Sequence, residues 1–312
     1  MQVDLYKNTV VDAKPFLKWA GGKRQLLDDI DSRLPQDVKK TGKIDKYFEP
    51  FVGGGAVFFH LKNNYKIKES YLYDINKELI LTYNVIKNNP KELINQLLAI
   101  NDIFLPKEQG ERKDFFNQIR KSFNKKIPDF DFENYDESHI ERASQTIFMN
   151  KTCFNGLFRL NRKGEFNVPC GVYKNPKICD TENILNVSKV LKNTQIINSS
   201  YFESERLIDE KSFVYLDPPY RPLTQTEAFT SYSENDFDDT NQIELSQYYK
   251  RISEKGAKAM LSNSDPKNID KNDDFLDDLY SDFKIERVFA NRSINSNAKK
   301  RGKITEILVT NY

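Results

Sequence analysis

The residues best suited by type and spacing to chemistry are Phe213-Val214-Tyr215-Leu216-Asp217-Pro218-Pro219-Tyr220. The apolar run predicts a strand, and two prolines at its carboxyl edge remove two N–H donors and stiffen the chain. The Asp217 carboxylate and the Pro218 carbonyl then stand as two acceptors without competing donors, and Tyr220 offers a ring on which a base can stack. An aromatic amine is a poor nucleophile because its lone pair is conjugated with the ring. Two acceptors holding its hydrogens favour a pyramidal nitrogen and free the lone pair, which is stabilisation matched to a transition state. The plain alternative is a rigid turn with a capping Asp.

A second motif, Glu49-Pro50-Phe51-Val52-Gly53-Gly54-Gly55-Ala56-Val57-Phe58-Phe59, reads as strand, glycine turn and helix. Glycines there let backbone approach a ligand and set a helix amino terminus beside it. It fails as a dinucleotide fingerprint, because Phe58 stands where a small residue is required. Asp74 lies 21 residues past Gly53 at the end of the next strand candidate, where a carboxylate can accept both hydroxyls of a ribose. A nucleoside-bearing cofactor is expected, with a helix-capping Asp74 as the structural alternative. A third motif, Phe16-Leu17-Lys18-Trp19-Ala20-Gly21-Gly22-Lys23, holds the only tryptophan and could form a lid over an adenine or a sulfonium; core packing explains a lone Trp equally well. The fourth runs from Asn155 to Tyr173 and contains Arg159 and Arg162, side chains able to contact guanine bidentately, among glycines that permit close approach to phosphates.

The elements that must position these residues can be read from the apolar runs. Lys46–Phe51 and Tyr71–Tyr73 predict strands, each followed by a helical pattern, so the first 85 or so residues read as half of an α/β domain. Strand-like runs return at Gln195–Ser199, Ser212–Leu216, Lys258–Ser262, Ile285–Ala290 and Thr305–Thr310, for about seven strands in all. The intervening stretch is charged and helical to Met149 and then becomes the basic loop; we read it as an inserted domain. The expected division is 1–86, 87–192 and 193–312. Pro128–Asp136 reads as an acidic, aromatic linker.

Composition narrows the class. With 312 residues, 38% hydrophobic and 30% charged, 22 Phe and 16 Tyr, the chain is too aromatic for disorder and too charged for a membrane bundle. The longest stretch free of Asp, Glu, Lys and Arg, Pro50–Leu61, falls short of the ~18 apolar residues of a membrane helix. The amino terminus does not read as a signal peptide, so a cytoplasmic location is expected. Three cysteines without C-x-x-C spacing and two histidines indicate neither a disulfide framework nor a metal site. The net charge of +2 hides two basic segments. Lys151–Lys177 carries six basic residues against Glu165, and Asn291–Lys303 carries five and no acid. Together they suggest a polyanion surface, although either alone is equally a solvated loop. Asp270–Asp282, with six aspartates, reads as a solvated helix surface.

With all four motifs in view, the chain resembles the Dam/DpnM family of DNA adenine-N6 methyltransferases, the D12 class of GATC type, in which the cofactor loop precedes the recognition domain and Asp-Pro-Pro-Tyr follows it. The resemblance runs from Phe16 to the final strand. It implies a seven-stranded Rossmann-like methyltransferase sheet with an inserted, mainly helical DNA-recognition domain. It implies S-adenosylmethionine against Trp19, Lys23, Phe51, Gly53, Gly55, Asp74 and Asp217, and methyl transfer to N6 of an adenine flipped from double-stranded DNA, with Asp217, Pro218 and Tyr220 as the catalytic residues. By the same likeness Arg159 reads guanine, Leu157 and Tyr173 contact neighbouring bases, Lys18 touches the outer base pair, Asn155 lies in the DNA, and Arg292 to Asn297 track phosphates. Phe154 stands where such methylases carry a tyrosine, so stacking is kept and a hydroxyl contact is lost. A monomer or weak dimer without metal is expected. A base methyltransferase acting on RNA, or a DNA-binding protein without turnover, are the competing readings.

Overall fold

The computed structural model describes residues 11–161, 163–221, 237–291 and 303–312. Seven strands form one sheet: β1 (Lys43–Glu49), β2 (Lys66–Asp74), β3 (Thr194–Asn198), β4 (Ser212–Leu216), β5 (Lys258–Ser264), β6 (Lys284–Asn291) and β7 (Lys303–Thr310), in the order β3-β2-β1-β4-β5-β7-β6. The first five strands in that order are parallel, and β7 pairs antiparallel with both β5 and β6. Each of the seven strand candidates overlaps one of these strands, the first overrunning β1 into the turn at Pro50 and Phe51, whereas the insertion of β7 between β5 and β6 is a long-range pairing that no local pattern encodes.

Period-two alternation assigns the side chains to two faces. Tyr47, Phe213, Tyr215, Met260 and Leu308 enter one buried cluster, while their strand neighbours Phe48, Val214, Leu216, Leu261, Ile307 and Val309 enter the other. All five residues of β4 are buried, as expected of a central parallel strand covered on both sides. The first face is covered by α1 (Leu27–Ser32), α2 (Gln36–Thr41), α3 (Ala56–Asn64), α4 (Lys77–Asn88), α5 (Pro90–Phe104), α6 (Gln109–Lys125), α7 (Glu137–Thr152) and α8 (Thr181–Leu191). The second is covered by α9 (Asp239–Glu254) and α10 (Phe275–Leu279).

Local chemistry starts the helices. Asn76 caps α4 by accepting from the Leu79 N–H, Pro90 occupies the first turn of α5, and Glu108 with Glu111 forms a capping box on α6. Helix α7 buries twelve of its sixteen residues, so its polar side chains need internal partners. Arg142, 1% exposed, donates to both Glu78 carboxylate oxygens and to the Phe123 carbonyl, joining α7 to α4 and α6. The Pro128–Asp136 segment is more than a linker, since Phe130 and Phe132 pack on the core and Phe130 lies against the Arg142 guanidinium.

The chain runs outward from β1 through β2 to β3 and then returns to place β4 on the other side of β1. This reversal is a topological switch point, and ligands of open α/β sheets bind at the carboxyl ends of the strands there. Among the described residues no helix is long and apolar enough to cross a membrane, and no cluster of three or more His, Cys, Asp or Glu could hold a metal.

Candidate active site

At the carboxyl end of β1 the chain turns through Gly53 and Gly55, both with positive φ, before α3 starts. A Cβ at Gly55 would lie 2.5 Å from the Tyr83 hydroxyl, and one at Gly53 would lie 3.0 Å from the Trp19 ring. The turn is therefore glycine for both conformation and space. The Gly53 N–H donates to Asp74 Oδ2 at 3.0 Å, and the Asn76 N–H donates to Oδ1 at 2.9 Å. Asp74 thus ties the ends of β1 and β2 together, while the α4 cap falls to Asn76. Burial raises the Asp74 pKa, against the lowering effect of those N–H bonds.

Asp217 follows β4, beside the end of β1. Its Oδ1 is 2.7 Å from the Lys23 ammonium, which is 5% exposed, also donates to the Gly21 carbonyl and sits 4.5 Å from the Tyr220 ring centroid. Ser262 donates to the same Oδ1 at 3.3 Å and is itself bonded to Tyr215. Burial pushes the Asp217 pKa up, and the adjacent Lys23 charge pulls it back. The Gln242 amide on α9 donates to the Pro219 carbonyl and accepts from Asn263, fixing the second proline of the turn. Arg221 is held by Asp239 and Asp273 and lies over Phe275, fixing the residue after Tyr220. Two of the six aspartates of 270–282 are less solvated than expected, since Asp273 holds Arg221 and Asp277 bonds Arg287 and pairs with Lys267, while the other four are exposed.

The third and fourth motifs meet. Trp19 packs over Gly53 and Gly54 and stacks on Phe158 of the basic loop at 5.3 Å, so the lone tryptophan both covers the glycine turn and joins the loop to it. Asn150, buried on α7, accepts from the Lys18 N–H and donates to the Lys18 and Gly156 carbonyls, clamping the Lys18 backbone beside the Phe154–Leu157 turn. Asn155 is the only non-glycine described residue with positive φ, a conformation Asn tolerates. Phe154 is 56% exposed and Val172 83%; Leu157 and Tyr173 are exposed as well. Arg159 donates through Nε to Asn167 at 2.8 Å. Its loop is a hairpin, with Leu160 opposite Phe166, and Asn124 of α6 bonds both backbone polar groups of Phe166. Phe51 is half-buried against Tyr201 and Phe237. Arg162, Arg292 and Asn297 lie outside the described residues.

Glu49, Asn150, Gln242 and Glu306 are among the residues at this site that carry no role in the sequence reading. Each acts through a partner distant in sequence, except Glu49, which stands in the glycine motif itself. Glu49 is buried, accepts from the Tyr47 hydroxyl at 2.6 Å, and has its pKa raised to about 8 by burial and by the nearby Asp217 charge. A carboxyl whose folded value lies above its unfolded value stabilises the fold fully below pH ~4.5 and loses that stability as pH rises toward about 8. Glu49→Gln is therefore expected to melt above the unsubstituted protein at pH 8 and level with it near pH 4.5; parallel melting profiles would contradict the buried acid.

The sequence places this geometry in a family. A profile described as D12 class N6 adenine-specific DNA methyltransferase matches residues 19–294. The chain belongs to that family. It is 48% identical over 303 residues to a type II methyltransferase of Methanocaldococcus jannaschii, covering 97% of this chain and all of that one. A second type II methyltransferase, from Lactococcus lactis subsp. cremoris, is 37% identical over 99% of both chains. The DNA adenine methylase of Escherichia coli is 34% identical, covering 95% of this chain and 94% of its own. The protein is an adenine-specific DNA methyltransferase, and the α/β sheet expected from the sequence is its fold.

Proposed function

We propose that this methyltransferase takes its methyl group from S-adenosylmethionine and delivers it to N6 of an adenine flipped out of double-stranded DNA, at a GATC-type site. The observation that carries the reading is the convergence of Asp217, Lys23, the Gly53–Gly55 turn and Asp74 at one switch point. The site fits the donor. Asp74 keeps acceptor capacity beyond its two N–H bonds, since a carboxylate offers about four lone-pair sites, and that capacity would hold the ribose hydroxyls of the donor. Ile75, exposed beside it, gives apolar surface for the purine, and Phe51 and Trp19 flank the turn. Sequence reasoning passed over Ile75, whose signal is an apolar residue directly after a strand-end acid. When bound, the donor supplies an electrophilic methyl group on a sulfonium centre.

The chain's own residues do the rest. Asp217 and the Pro218 carbonyl accept the two amino hydrogens of the adenine, raising the electron density at N6, and Tyr220 stacks on the base. The proton lost from N6 on alkylation passes to the Asp217 carboxylate that already holds it. Phe154 fills the space vacated in the duplex, Arg159 reads guanine, and Lys18, Asn155, Leu157, Tyr173 and the Arg292–Asn297 segment complete the DNA contacts. The same reading keeps 1–86 and 193–312 as the catalytic part and 87–192 as the recognition part.

Arg159→Ala is expected to relax discrimination between cognate and one-base-substituted duplexes by about 1–3 kcal/mol, the worth of one bidentate base contact. Unchanged ratios of methylation rate across such a duplex set would remove Arg159 from base reading.

A further inference from the structure

Glu306 is held as few surface carboxylates are. It lies on β7 opposite Ser264, and its neighbour Thr305 is pinned by bonds to Asp265 at 2.6 Å and Asn268 at 3.0 Å. Its side chain is 13% exposed, accepts from the Tyr220 hydroxyl at 2.5 Å, and stands 3.9 Å from the Lys23 ammonium. A carboxylate drawn out of water is tolerated only where partners offset the loss, and both partners here belong to the acceptor subsite.

The ammonium of Lys23 and an exocyclic amine are both donors, and both suit Asp217 Oδ1. With Lys23 at 2.7 Å from that oxygen, an amine that takes Oδ1 displaces Lys23 or shares the oxygen with it. Closing the Lys23–Glu306 gap from 3.9 Å to the ~2.8 Å of a charge-assisted bond requires a movement of roughly 1 Å. We infer, resting on the methyl-transfer reading above, that Glu306 is a positioning residue of the adenine subsite. It fixes the Tyr220 ring through the phenolic oxygen and receives the Lys23 ammonium when the target amine claims Asp217.

The test uses single-turnover methylation of one cognate duplex, together with the fluorescence of 2-aminopurine at the target position, which reports stacking of the flipped base. Glu306→Ala is expected to slow methyl transfer by about 10²-fold, the scale of an ångström-level misplacement, with an unchanged DNA dissociation constant and brighter 2-aminopurine fluorescence. Glu306→Gln keeps an acceptor for Tyr220 but removes the charge, so the stacking signature returns while the rate stays below that of the unsubstituted protein. Glu306→Ala turning over at the unsubstituted rate overturns the inference, as does a rate loss in both variants that merely tracks lost DNA binding or lost folding. An unsubstituted protein that methylates no adenine at all overturns the underlying reading, and this inference falls with it.

Discussion

Replacing Asp217 with Ala is expected to lower methyl transfer by about 10³-fold, comparable to deleting one preorganised group aimed at a developing charge. Duplex binding is expected to stay near that of the unsubstituted protein, because the exposed loop residues Phe154, Leu157 and Tyr173 are untouched. The substitution has a structural cost that must be kept apart from the catalytic one. It leaves the Lys23 ammonium, 5% exposed, with the Gly21 carbonyl at 3.1 Å and Glu306 at 3.9 Å, and stripping one partner from a buried ion pair typically costs about 3–5 kcal/mol. Asp217→Asn separates the two effects. Its amide keeps the volume and one acceptor for Lys23, so the fold should survive, but the lost charge neither polarises the amine nor takes its proton. The Asn variant is expected to melt close to the unsubstituted protein and still to lose most of its single-turnover rate. Full activity in either variant would remove Asp217 from the chemistry.

Arg142→Ala is expected to destabilise the protein by about 3–5 kcal/mol, read by denaturant unfolding, because it strands the buried Glu78 carboxylate. Burial raises the Glu78 pKa, and the Arg142 hydrogen bonds and charge oppose that rise. The guanidinium also lies 3.7 Å from the Phe123 ring centroid and bonds the Phe123 carbonyl, so the same change loosens α6 as well as α4. Since α7 carries Asn150, which clamps Lys18 against the Phe154–Leu157 turn, weakened DNA binding should accompany the lost stability. A double substitution of Arg142 by Met and Glu78 by Leu should recover much of the loss, because a buried pair replaced by well-packed apolar groups is often neutral or better. An Arg142→Ala protein that unfolds at the same denaturant concentration would contradict this account of the helical layer.

How much of this was legible in the sequence follows from the range over which each feature is encoded. The strand ends at Asp74 and Asp217 and the turn at Gly53–Gly55 are local: a few consecutive residues define the period, the break and the chemistry. The motifs around Gly53–Gly55 and Asp217 could therefore be placed at strand ends from the sequence. The features that escaped are pairs. Glu78 and Arg142 are 64 positions apart, Tyr220 and Glu306 are 86 apart, and Lys18 and Asn150 are 132 apart. Nothing in the local pattern around Glu306 or Asn150 announces a partner; Asn150 reads as one polar position among many in a charged helix. Pro128–Asp136 looked like a linker because its acidic and aromatic residues have no period, yet Phe130 packs against a guanidinium that only the fold brings there. Trp19 shows the converse. The sequence leaves open a lid over a ligand and core packing; the fold packs the ring on the glycine turn and on Phe158, so the same residue that packs also borders the ligand face of the turn.

The most direct test of the central claim is transfer of labelled methyl from S-adenosylmethionine to two duplexes that differ only in carrying GATC or GTAC, followed by nucleoside analysis. The account predicts N6-methyladenine from the GATC duplex alone. Equal labelling of both duplexes would contradict the proposed site, and label recovered on any nucleoside other than N6-methyladenine would contradict the proposed chemistry at Asp217.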